Sequence, residues 1–278
     1  MSRRRLYIGC AVPAALALFL LLTVFFIPND AIKGLLVRAA DQRGLTLSLS
    51  GLSKGFPLAL TARGVEVSSA QGALVRLDRV RVGLEILPLF VGKARLAVRG
   101  ALGSGEIAGT VDLARHPGFT VKADGIRLED IPFFRTVAGA RVKGELRLTG
   151  DIAGGKELPS GKFRLEVRNV ELSGVKVGPM PLPDASYKDV RGALAIGKGR
   201  ADLTSLTLDG DGIYLRLKGE ATLANPIGDS PLNLTLEMMP SPAFLEKQKF
   251  VFLLLTKYQT TPGTYRIPIH GTLGHPAV

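Results

Sequence analysis

A mainly β fold is expected: a single N-terminal transmembrane helix, a short amphipathic helix, then a long twisted antiparallel sheet curled into a groove, half-barrel or sandwich. Three observations lead there. Only one stretch, at the N-terminus, is apolar for long enough to span a bilayer. The hydrophobic period is two residues through most of the remaining chain. Glycine and proline supply 50 of the 278 residues, well above their usual share of about 12%. Without a collagen-like repeat, that excess marks many turns between short elements.

The first element is the anchor. Arg3, Arg4 and Arg5 precede an uncharged run from Leu6 to Ile27. A helix over those residues covers about 33 Å, enough for a hydrocarbon core of about 30 Å. The positive-inside bias keeps the arginines cytoplasmic and places the chain after Pro28 outside the cytoplasm, in the bacterial periplasm. A cleaved signal peptide would have a shorter apolar core and a small-x-small site after it. Here the run ends in Phe25-Phe26-Ile27-Pro28 without such a site. A lipoprotein cysteine would come after the apolar run, whereas Cys10 sits near its start. The chain thus divides into a cytoplasmic tip and anchor (1–28), a linker helix (29–44) and a periplasmic β-rich domain (45–278).

Residues 30–43 read as the amphipathic helix. Ile32, Leu35, Leu36, Ala39 and Ala40 share a face, Asn29 or Asp30 suits the N-cap, and Gly44 suits the C-terminal turn. Beyond it the alternation begins. Leu45, Leu47 and Leu49 alternate with polar residues, as do Val80, Val82, Leu84 and Ile86. Leu146 and Leu148 continue the pattern, then Phe163, Leu165 and Val167, then Ile213, Leu215 and Leu217, then Leu232, Leu234 and Leu236. Such strands have one dry face and one wet face. Antiparallel pairing is expected, because the spacing leaves no room for crossover helices.

Turns fall at Gly103-Ser104-Gly105, Gly154-Gly155, Gly197-Lys198-Gly199 and Asp209-Gly210-Asp211-Gly212. A basic residue or His, then Gly, recurs at Arg99-Gly100, Lys143-Gly144, Arg191-Gly192, Lys218-Gly219 and His270-Gly271, each expected to lead into a short strand. Helical punctuation is sparse: a turn or two around Ile131-Pro132-Phe133-Phe134, and a segment opened by the Ser241-Pro242 cap pair and reaching Tyr258. Phe244, Val251, Phe252 and Leu255 share a face there, although Phe250 to Leu255 also suits a strand.

Composition excludes several function classes. One cysteine precludes a disulfide framework. No nucleophile elbow, zinc motif or phosphate loop occurs. His116, His270 and His275 read as loop or tail residues, and Asp209 and Asp211 as a tight turn rather than half a calcium loop. No catalytic residue, metal or cofactor is expected. Lys and Arg number 36 against 24 acids. Setting aside Arg3–Arg5 leaves about +9 on the exported part, which draws it toward anionic headgroups. Nucleic acid is not an expected partner of an exported domain without aromatic-basic clusters.

The dry face poses the functional question. A sheet apolar on one side must cover that side, and the helices are few. The cover is a second layer of the sheet, another protein, or lipid acyl chains. The face comprises Val80, Val82, Leu84, Leu146, Leu148, Phe163, Leu165, Ile213, Leu215, Leu217, Leu232, Leu234 and Leu236.

Several short phrases carry a resemblance: Leu52-Ser53-Lys54-Gly55-Phe56-Pro57-Leu58, Leu87-Pro88-Leu89-Phe90-Val91-Gly92, Lys143 to Gly150, Pro231-Leu232-Asn233-Leu234 and Ile267 to Leu273. With the anchor and linker helix, they make the whole chain resemble the type II secretion system protein N family, in its longer form. Similar phrases occur in AsmA-like envelope proteins, whose β-grooves are implicated in lipid handling. The resemblance implies a non-enzymatic inner-membrane accessory, periplasm-facing, of the machine that exports folded proteins. Its partners would be the inner membrane and other secretion components. The alternative it leaves open is a lipid-binding or lipid-transfer groove.

Overall fold

The structure is a computed structural model describing residues 28–42, 44–56, 58–113, 117–137, 139–154, 160–177, 180–181 and 184–278. The expected anchor over Leu6–Ile27, with Arg3–Arg5, lies outside the described residues, as do His116 and Gly155. Among the described residues, no helix is long and apolar enough to cross a membrane.

The chain enters through helix α1 (Asn29–Asp41). Strands β1 (Thr46–Ser48), β2 (Gly51–Gly55), β3 (Ala59–Ser69) and β4 (Gly72–Leu84) come next, and then a short helix α2 (Ile86–Leu89). After it lie β5 (Arg95–Leu102), β6 (Gly105–Asp112), β7 (Phe119–Arg127), helix α3 (Pro132–Thr136), β8 (Arg141–Ala153) and β9 (Ser160–Ser173). A two-stranded ribbon, β10 (Lys176–Val177) with β11 (Met180–Pro181), precedes β12 (Ala185–Gly197), β13 (Arg200–Gly210), β14 (Ile213–Thr222) and β15 (Leu232–Pro240). Helices α4 (Pro242–Lys247) and α5 (Lys249–Leu254) lead to β16 (Gln259–Thr261), β17 (Thr264–Gly271) and β18 (Pro276–Ala277).

All but the ribbon belong to one open antiparallel sheet of 16 strands. The order along it is β1, β3 to β9, β12 to β15, β17 and β16, with β2 on β3 and β18 on β17. Nearly every strand therefore pairs with its sequence neighbours, and two-residue turns join β3 to β4, β5 to β6, β12 to β13 and β13 to β14. Lys198 and Gly199 both take positive φ, 51° and 74°, which matches the twist of a hairpin. The Asp211-Gly212 pair closes the β13–β14 hairpin, and Lys188 sits 3.4 Å from Asp211.

The basic-Gly recurrence has a different meaning from the one expected. Gly100, Gly144, Gly192 and Gly219 lie inside strands rather than before them. Gly144, at φ 142°, lies opposite Asn169 and Val170 where the β8–β9 register shifts, so the extra residue of the bulge is on β9, where Asn169 takes φ 51°. Gly219, at φ 136°, has a Cβ position filled by the Asn233 carbonyl.

Helix α1 also departs from expectation. Its N-cap is Pro28, with no side-chain cap, and Leu35 and Leu36 are exposed. Ile32 and Ala40 of the expected face are half-buried, as is Val37, because the helix lies beside an edge strand rather than over the face. The C-terminal helical segment is present but broken at Gln248, which takes φ −113° and ψ 29°. Ser241 accepts a bond from the Phe244 amide at 3.3 Å, the cap the sequence indicated.

Candidate functional site

Residues paired directly across antiparallel strands point to the same face. Following the register shows where each apolar residue lies. Leu60, Val82, Val98, Gly109, Val121, Gly150, Phe163, Leu194, Leu203, Gly219, Leu234 and Ile269 form one unbroken row over twelve strands. At about 4.8 Å per strand, the row is about 53 Å long. Beside it runs a second row, from Leu84 through Leu96, Val111, Phe119, Ile152, Gly161, Ile196, Ala201 and Ala221 to Leu232. Val80, Leu148, Leu165, Leu217 and Leu236 share a third row. Leu146 and Leu215 share a fourth with Val167, Val190, Leu208, Met238 and Tyr265. Ile213, two residues before Leu215, faces the same way. The apolar residues picked out by alternation thus occupy one face of one sheet.

That face is covered unevenly. At one end, α4, α5 and the turn after them lie over the fourth row. The Phe252 ring lies tilted 5.1 Å from Tyr265 and edge-on 6.2 Å from Phe244, centroid to centroid. Met238, Leu255 and Ile267 are fully buried there, and Ile213, Leu215 and Leu236 are buried with them. Between Leu102 and Ile126 a smaller cluster forms under Ile131. At the other end the first two rows are only half-buried from Leu60 to Leu234, and Phe119 is exposed. Their far end joins the covered core, where Leu232 and Leu234 pack against it and Ile269 is buried in it. We refer to the half-buried part of these two rows, which ends at Leu232 and Leu234, as the open lane.

Glycines in the lane let neighbouring groups approach closely. The Phe163 ring occupies the space a Cβ on Gly150 would take, so an aromatic on one strand roofs a glycine on the next. Alternation could not find Gly109, Gly150 and Gly161, because a glycine carries no hydrophobic signal. Tyr265, Ile267 and Ile269 were also missed as core, although they alternate with Arg266, Pro268 and His270. Pro268 inside the run argues against a strand.

The opposite face is a lattice of charges. Arg147 meets Asp124 at 2.8 Å, Lys143 meets Glu171 at 2.8 Å and Arg168 meets Glu166 at 3.0 Å. Glu237 is the buried member, 8% exposed, with Lys218 and Arg266 each 3.2 Å from Oε1. The hydrogen bond from Lys218, then the charges of Lys218, Arg266 and Arg216, hold its carboxyl below the usual range against the opposing effect of burial. On the dry side, burial pushes the Tyr187 phenol well above its ordinary value, so it stays neutral. A shallow depression of about 610 Å³ on the wet face is bordered by Lys122, Arg147, Arg164 and Arg191. Among the described residues, no cluster of three His, Cys, Asp or Glu side chains is placed to hold a metal ion.

No protein-family model, curated protein or solved structure matches this chain.

Proposed function

We propose that this chain is a non-enzymatic accessory or assembly component of a type II protein secretion system. In this reading residues 6–27 anchor it in the inner membrane and the sheet stands on the periplasmic side. The open lane carries the reading: a half-buried apolar strip about 48 Å long is a surface on which another molecule rests. Acting by binding suits a scaffold. The sequence phrases shared with the protein N family supply the setting, and the Leu87-Pro88-Leu89-Phe90 phrase falls on α2, beside the lane's first strands.

The test is genetic. Replacing the chromosomal copy by an L194D/L203D variant puts two charges in mid-lane, where the two leucines pair. Secretion of folded exoproteins should fall at least fivefold while the variant accumulates at the normal level. Normal secretion by that variant, or by a deletion strain, would overturn the proposal.

A second reading comes from the same lane. Its rows offer carbon and no polar side chain, which suits acyl chains, and the sheet would then curve around lipid as in AsmA-like grooves. Native mass spectrometry of the detergent-purified chain should reveal bound phospholipid that the L194D/L203D variant lacks. A lipid-free spectrum for both excludes this reading.

A further inference from the structure

Two neighbouring turns at the lane's open end leave their largest apolar side chains in water. Phe56 is 81% exposed, Leu87 82%, Phe90 82% and Val91 73%. The turns adjoin one another, because the Leu84 amide donates to the Leu58 carbonyl at 3.0 Å and Ala59 pairs with Gly83. Bulky residues gathered in this way mark a contact surface.

The same end receives the chain from its N-terminal segment. Asn29 Nδ2 donates to the Leu52 carbonyl at 3.2 Å, which fixes the start of α1 beside β2. From Leu52 the strand runs to Gly55, and Phe56 lies about 13 Å beyond the contact. The uncharged run Leu6–Ile27, long enough to span a bilayer, therefore meets the fold at the end where these side chains project. Charge agrees. Glu85 and Asp112 are both engaged by Arg95, at 3.9 and 2.7 Å. Lys93, on the α2 turn, and Lys33, in the first turns of α1, are exposed.

We propose that this tip, with Phe56, Leu87, Phe90 and Val91 at its point, inserts into the headgroup layer of an anionic bilayer, the one its own N-terminal segment crosses. Aromatic and aliphatic side chains enter the acyl boundary while Lys33 and Lys93 meet phosphates. The lane's open end then faces the membrane surface. The inference rests on the membrane anchor and not on the secretion role.

The chain has no tryptophan, so one introduced tryptophan reports alone. The full chain carrying F90W, or separately L87W, is reconstituted into phosphatidylcholine–phosphatidylglycerol vesicles. A second cluster, Phe250, Leu253 and Leu254 on α5, is exposed at the capped end and supplies the control, F250W. Lipids brominated near the headgroup should quench F90W and L87W at least twofold, and aqueous iodide should quench F250W alone. Iodide quenching of F90W and L87W equal to that of F250W overturns the proposal. So does a chain that fails to float with the vesicles, a result that locates the failure in the anchor. A wild-type secretion phenotype in the lane variant leaves the quenching result standing, so the two proposals fail separately.

Discussion

At Glu237 burial and charge oppose one another. It stands between Leu236 and Met238, both buried on the dry side, and its own carboxylate is covered from above by Lys218 and Arg266. Because its folded pKa lies below the ordinary value, its stabilising effect is complete above about pH 4.3 and is lost as pH falls through the folded value. Glu237→Gln should lower stability at pH 7 by about 1 kcal/mol, a figure reduced for screening by solvent around the partly exposed cations. The gap between variant and wild type should close as pH falls below 4. Urea unfolding of the detergent-solubilised chain across that range measures both. A gap of constant size down to pH 3 would show that the ion cluster contributes nothing specific.

At the scale of elements, local chemistry decided what was legible. The alternating strands were readable because a half-buried strand repeats its pattern with every pair of residues. The Ser241 cap was readable because a hydroxyl before Pro and an apolar run has one structural use. Ser241→Ala should cost about 1 kcal/mol and speed amide exchange in α4 while leaving β14 protected. Unchanged exchange there would mean that packing of Phe244 alone holds the helix. The features that escaped reading were set by contacts remote in sequence. The exposed Leu35 and Leu36 show that an amphipathic pattern does not name the surface it meets. The break at Gln248 lets Phe244 and Phe252 reach the same patch of sheet, a demand of tertiary packing that helical periodicity carries no trace of. The mid-strand glycines escaped for another reason: their role appears only when the neighbouring strand's side chain, such as Phe163, is in place.

For the molecule as a whole, an open sheet of 16 strands has two edges and one face left to manage. The edges are modest hazards. One is flanked by α1, and the other ends in β16 and β18, strands of three and two residues, too short to template a further strand. The face is different, since its cover stops partway. The register places Leu215 under α4 and α5, and Leu194 in the lane. The same chemical change at the two positions should therefore have consequences of very different size. Leu215→Asp buries a charge without a partner and should cost more than about 4 kcal/mol, enough to prevent accumulation of folded protein. Leu194→Asp places its charge within reach of water and should cost about 1 kcal/mol, the fraction of a leucine's burial that is lost. The yield of folded protein separates these outcomes, and thermal unfolding of the Leu194→Asp variant against wild type measures the smaller loss. If Leu194→Asp unfolded the chain as Leu215→Asp does, the lane would be sealed by protein in solution, and neither a partner nor a lipid would have a surface to occupy.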